Sequence, residues 1–215
     1  MSESPFNDTP ELRRLLRVGQ GLLPALDAAE ARRYGRLPVE PVGAAVMVHS
    51  RRNAELIVAV ADDFFHHRPL AGGVVARALR ESVLTLRWCV TAPENASAWW
   101  RAGDAQAQKV LRSARRSDDP TVVAVREAAV TPPKVPALPG MARAVGVLRA
   151  YEVWYPALSA YAHSNRLGMH FAYRPRGTGA MPPSIVPCLY IASDAARVFE
   201  SWSTGMPCPP PEEHP

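Results

Sequence analysis

Lysine is almost missing from this chain: of its 25 cationic residues, all but Lys109 and Lys134 are arginine. Arginine scattered along the sequence, beside many alanines and prolines, reads as the imprint of a GC-rich bacterial genome. A nucleic-acid surface would concentrate its cations in a patch. The formal charge of +5 therefore lends RNA only weak support as a partner. Cysteine is scarce as well. Cys89, Cys188 and Cys208 show no C-x-x-C spacing and leave one thiol over, which argues against a disulfide scaffold and for reduced thiols in a cytoplasm. Long apolar runs are absent too. Leu56 to Ala61 is the most apolar stretch; it is far too short to span a bilayer and is bracketed by Arg51, Arg52, Asp62 and Asp63. Met1 to Pro10 holds no basic region leading into an apolar one, so no secretory signal is expected. Period-2 alternation, internal repeats, glycine-rich phosphate loops, dinucleotide fingerprints and zinc-finger spacings are missing as well.

What the chain does have is proline, 22 residues of it, and proline divides the sequence into segments. Thr9-Pro10-Glu11 has the form of a helix start, with a capping hydroxyl, proline at the first position and an acid in the first turn. That helix is expected to reach about Tyr34, with a break near Gly19 to Gly21 or at Pro24. Further helices are predicted over 42–66, 71–91, 94–117 and 141–165, with a shorter piece over 118–130 and a last helix over 188–202. The third has the clearest core stripe, Val75, Leu79, Val83, Leu86 and Val90. Thr131 to Gly140, with four prolines, can be neither helix nor central strand. The sequence predicts a single all-α domain over 1–204, a bundle of about six or seven helices with proline-rich connections, followed by a disordered proline-rich tail over 205–215.

Two signatures carry chemistry. The first is Arg77-x-x-Arg80-Glu81 leading to Trp88. The second is Tyr155-x-x-x-Ser159-x-x-x-His163, whose i, i+4, i+8 spacing sets three polar groups on one helical stripe. Glu81 shares its face with Ala78, Leu84, Thr85 and Trp88, so burial and pairing with Arg77 or with the Ser159/His163 stripe are expected. His49 and Asn53, one turn apart beside Val46 and Leu56, add two more candidate inward polar groups. Serine four residues before histidine imitates a nucleophile and base, yet on one helix it has neither an oxyanion hole nor an elbow. No pair among His49, His163 and Glu81 has the spacing of a helical metal site.

Taken together, these residues resemble a group of uncharacterised bacterial all-α proteins. That pattern combines an R-E helix (Arg77, Arg80-Glu81), a following Trp88, a helix opening with Pro93, Ala98 and Trp99, and a late Y-x-x-x-S-x-x-x-H helix. The group is distantly similar to HEPN domains, helical bundles of toxin, antiphage and RNA-processing systems. Active HEPN ribonucleases carry an arginine four to six residues before a histidine on the final helix. Here the nearest arginine before His163 is Arg149. The leading expectation is a non-catalytic cytoplasmic interaction or regulatory module without cofactor or metal, contacting another protein or a second copy of itself. The alternative is a metal-independent ribonuclease or nucleotide-binding protein. In it His163 is the acid–base group, Arg80 or Arg77 holds a phosphate and Glu81 orients the arginine, with Arg77, Ser159, Tyr155, His49 and Asn53 as binding residues.

Overall fold

The Thr9 hydroxyl accepts a hydrogen bond from the Leu12 amide at 3.3 Å, and helix α1 (Pro10–Arg32) starts there as its capping sequence dictates. The computed structural model describes residues 8–33, 40–66, 68–113, 123, 133–162 and 185–211. Among them the remaining helices are α2 (Pro41–Phe65), α3 (Pro69–Thr91), α4 (Pro93–Ser113), α5 (Leu138–Ala144), α6 (Leu148–Ala162) and α7 (Ile185–Thr204). No strand occurs among the described residues, and the architecture is an all-α helical bundle. The first four helices each open on a proline, whose missing N–H costs nothing at a position without an intrahelical acceptor. No helix is long and apolar enough to cross a membrane, among the described residues.

The break expected in α1 does not occur. Leu12, Leu15, Leu22, Leu26 and Ala29 form one continuous buried stripe, and Pro24 sits on the exposed side. Gly19 is there for proximity rather than flexibility: a Cβ at this position would stand 2.9 Å from Ile57 Cγ2 and 3.0 Å from Val58 Cγ2 of α2. Conversely, the single helix expected over 141–165 is two helices. Gly146 takes a φ of 80°, the left-handed conformation that glycine adopts without strain. Its amide bonds to the Arg143 carbonyl at 3.2 Å while the Val147 amide bonds to the Ala142 carbonyl at 2.9 Å. This pair of bonds is a Schellman termination, and it ends α5 one turn before α6 begins. The α7 helix ends the same way at Gly205, φ 71°, with the Met206 amide on the Ser201 carbonyl at 2.8 Å.

Helix α3 is the centre of the molecule and packs against α2, α4, α5, α6 and α7. One apolar cluster joins Leu15, Ile57, Leu79, Leu158 and Ala192; another joins Leu26, Val46, Leu86, Val198 and Phe199. A third gathers Leu84, Trp88, Met141 and Tyr151 beneath α5 and α6. Into this interior the chain places a buried ion pair between α3 and α7. Arg87 Nε donates to Asp194 Oδ2 at 2.7 Å, and Arg87 Nη2 donates to Asp194 Oδ1. The guanidinium also donates through Nη1 to the Pro209 carbonyl and contacts Cys208 Sγ at 3.3 Å. Cys208 and Pro209 thus reach the bundle, a placement that an aperiodic proline-rich sequence did not suggest. The predicted helical piece over 118–130 falls almost wholly outside the described residues, as do residues 212–215 and most of the Gly/Pro-rich loop expected over 174–187; its last residues are helical instead, since α7 starts at Ile185 and not at Cys188.

Candidate functional site

Helices α3 and α6 pack side by side, and this contact brings part of the two signatures together. Arg77 Nε donates to Glu81 Oε1 at 2.9 Å across one turn of α3. Arg77 Nη2 reaches across to Tyr155 Oη on α6 at 2.8 Å, and Tyr155 Oη donates to Glu81 Oε1 at 3.1 Å. Three polar groups therefore close a triangle in which each one bonds to the other two. The Arg77 guanidinium also lies 5.1 Å from the Tyr155 ring centroid. Glu81 retains 34% of its side-chain exposure and Arg77 24%, so the site is half-buried rather than sealed as the sequence suggested. Bonding to Glu81 first, opposed by partial burial, holds the Arg77 pKa above its ordinary value.

Tyr151, one turn before Tyr155, completes this surface and was missed from sequence. The two rings stack with centroids 4.6 Å apart and planes at 20°. Extending the Tyr155/Ser159 stripe backward by four residues would have found it. Burial above all, with the neighbouring Tyr155, raises the Tyr151 pKa. Ser159 is half-buried one turn beyond Tyr155 and makes no hydrogen bond among the described residues. His163 lies outside the described residues.

Arg80 does not join the triangle. It is 7% exposed and lines a cavity of 50 Å³ together with Arg87 of α3, Tyr151 of α6 and Asp194 of α7. Burial pushes its pKa down to about 10, which still leaves it charged at neutral pH. Its Nη1 is fully buried and has no hydrogen-bond partner among the described residues.

His49 and Asn53 belong to a third place, the interior face of α2. His49 Nδ1 is 3.0 Å from Ser82 Oγ of α3, and its ring packs on Trp99 of α4 with centroids 4.7 Å apart. Ser82 was also missed; its clue is its position on the α3 stripe between Leu79 and Leu86. Burial, then the charge of Arg52, drives the His49 pKa down to about 4. The ring is neutral at physiological pH. Ser82 and His49 do stand at nucleophile–base distance, but both are buried and, among the described residues, no carboxylate bonds to the imidazole. Asn53 is fully enclosed, with neither amide atom bonded among the described residues.

Among the described residues, no three His, Cys, Asp or Glu side chains come close enough to hold a metal ion. Cys89 and Cys188 are buried free thiols whose pKa values burial pushes up to about 12, so neither is a reactive thiolate at neutral pH. Comparison of the chain with family models, with curated proteins and with solved structures finds no match.

Proposed function

We propose that this bundle is a non-catalytic interaction or regulatory module that works in a bacterial cytoplasm through contacts with another protein or with its own second copy. The observation that supports the reading best is the closed Arg77–Glu81–Tyr155 triangle. Arg77, Glu81 and Tyr155 each bond to the other two, so these three side chains tie α6 to α3. Acid–base catalysis instead needs a group whose pKa lies near the working pH and whose atoms reach a substrate. His49 is buried with a pKa far below that range. The reduced cysteines suit a cytoplasmic setting. Leu70 and Val74, one turn apart and exposed at the start of α3, offer an apolar edge for contact.

The purified protein tests this directly. Incubated with single-stranded RNA or with nucleoside triphosphates at low salt, it should neither bind nor cleave them. RNA cleavage or nucleotide turnover that disappears in Arg77→Ala or Glu81→Gln would overturn the proposal and favour the HEPN-like nuclease alternative. In light scattering after size exclusion, any self-association should weaken in a Leu70→Glu/Val74→Glu variant.

A further inference from the structure

We infer that the cavity between α3, α6 and α7 is a binding site for a small monocarboxylate, with Arg80 as the group that takes its charge. This goes beyond the interaction reading and does not depend on it. Arg80 is a buried cation to which the described residues offer no counter-charge. The titratable groups that act on it, Cys188 and Tyr151, are both neutral at physiological pH. Asp194 is already bonded by Arg87 and by Arg197, and Glu81 by Arg77 and Tyr155. Residues 163–184, which join α6 to α7, contain no aspartate or glutamate at all. A guanidinium taken out of water without a partner is expensive, and an entering anion that accepts its hydrogen bonds offsets that cost. Carboxylate suits the planar fork of Arg80 better than a spherical ion does.

The size and lining of the space narrow the ligand. One water needs about 10–15 Å³ of such volume, so 50 Å³ takes about four non-hydrogen atoms, as many as acetate has. Val83, Leu84, Val145 and Ile191 form apolar walls that suit a methyl group; the polar lining is Arg80, Tyr151 and the Arg87–Asp194 pair, whose charges are set against each other.

The test uses the full-length protein with sodium acetate as the probe, against sodium chloride at equal ionic strength and acetamide as the neutral isostere. Acetate should raise the melting temperature in a saturable manner, and titration calorimetry should give one site per chain. Chloride and acetamide should give no saturable rise. Arg80→Gln should weaken acetate binding at least tenfold. Because that variant removes a buried group and can misfold, a substitution at Ala150 of α6, which also lines the cavity, serves beside it: Ala150→Leu takes up the space while leaving Arg80 in place and should also abolish binding. Acetate no better than chloride would overturn the proposal, as would binding that survives both substitutions. Acetate binding that emerges only after Glu212→Gln and Glu213→Gln would assign the anion to the chain's own end and equally overturn a free ligand.

Discussion

Arg87 and Asp194 stand 107 residues apart in the chain and meet inside the bundle, Nε to Oδ2 at 2.7 Å, with both side chains almost wholly buried. A pair of this kind contributes little net stability over an apolar pair of the same shape, but losing one partner strands the other charge. Asp194→Ala should therefore destabilise the protein by about 3–5 kcal/mol in urea unfolding. An Arg87→Met/Asp194→Leu double variant should recover most of that loss. A single-variant cost within about 1 kcal/mol, the range of exposed pairs, would show that the two charges remain hydrated.

The same guanidinium holds Pro209 through its carbonyl. Truncation after Gly205 should remove a hydrogen bond to a charged donor, a loss of about 1.5–3 kcal/mol. In a chain of this size each kcal/mol moves the melting point by about 2–4 °C. A truncated protein that melts at the full-length temperature would mean that the contact contributes nothing.

Partial exposure of Glu81 sets the scale for the triangle. Solvent screens the Arg77–Glu81 pair, so Glu81→Ala should cost about 1 kcal/mol rather than the 3–5 kcal/mol of a broken buried pair. Tyr155→Phe removes only the hydroxyl and should cost a similar amount. The double variant should lose less than the sum of the two, since both deletions break the same bond; strict additivity in a double-mutant cycle would show that they are uncoupled.

His49 gives the fold a pH dependence of definite sign. Its folded pKa of about 4 lies below the ordinary 6.5, so the unfolded chain binds more protons between these values. Stability from this residue is fully present above pH 6.5 and is lost as pH falls toward 4, by about 3 kcal/mol in all. Urea midpoints measured over this range should fall more steeply for the parent than for His49→Gln. Parallel profiles would mean that His49 ionises freely in the folded protein.

Two glycines in α1 should respond in opposite directions to the same change. Gly21→Ala meets nothing within 4 Å and should stabilise by about 0.5–1 kcal/mol through helix propensity. Gly19→Ala pushes a methyl against the stiff branched side chains of Ile57 and Val58 and should destabilise by about 1 kcal/mol or more. Thermal melts of both variants settle the comparison, and a stabilised Gly19→Ala would show that α1 and α2 can move apart at no cost.

Local rules were readable wherever a single turn carried them. Proline at the first helical position located the start of α1, and i, i+4 spacing led correctly from Arg77 to Glu81; Pro41, Pro69 and Pro93, read as linker, break and stop, instead open α2, α3 and α4 one or two residues before the expected starts. The α5–α6 division escaped because Gly146 falls inside a continuous helical periodicity, and only its backbone angle separates a tolerated glycine from a terminating one. Arg80 and Glu81 are adjacent and looked like parts of one site. Successive helical residues diverge by 100°, however, so one side chain enters the α3–α7 cavity while the other meets Tyr155 at the α6 edge. The partnerships of Arg87 with Asp194 and of Ser82 with His49 follow from tertiary packing, for which no local spacing exists.

The contact between α1 and α7 joins the first and last described helices. During synthesis the ribosome releases α1, α2 and α3 long before α7 exists. Leu15, Ile57 and Leu79 can cluster early, but their cover of Leu189, Ile191 and Ala192 arrives last. A nascent chain halted short of α7 therefore carries an open apolar seam along its middle helices, with Arg87 still lacking its carboxylate. The bundle gains its native stability in one late step, and an incomplete chain is a client for chaperones rather than a smaller working version of the protein.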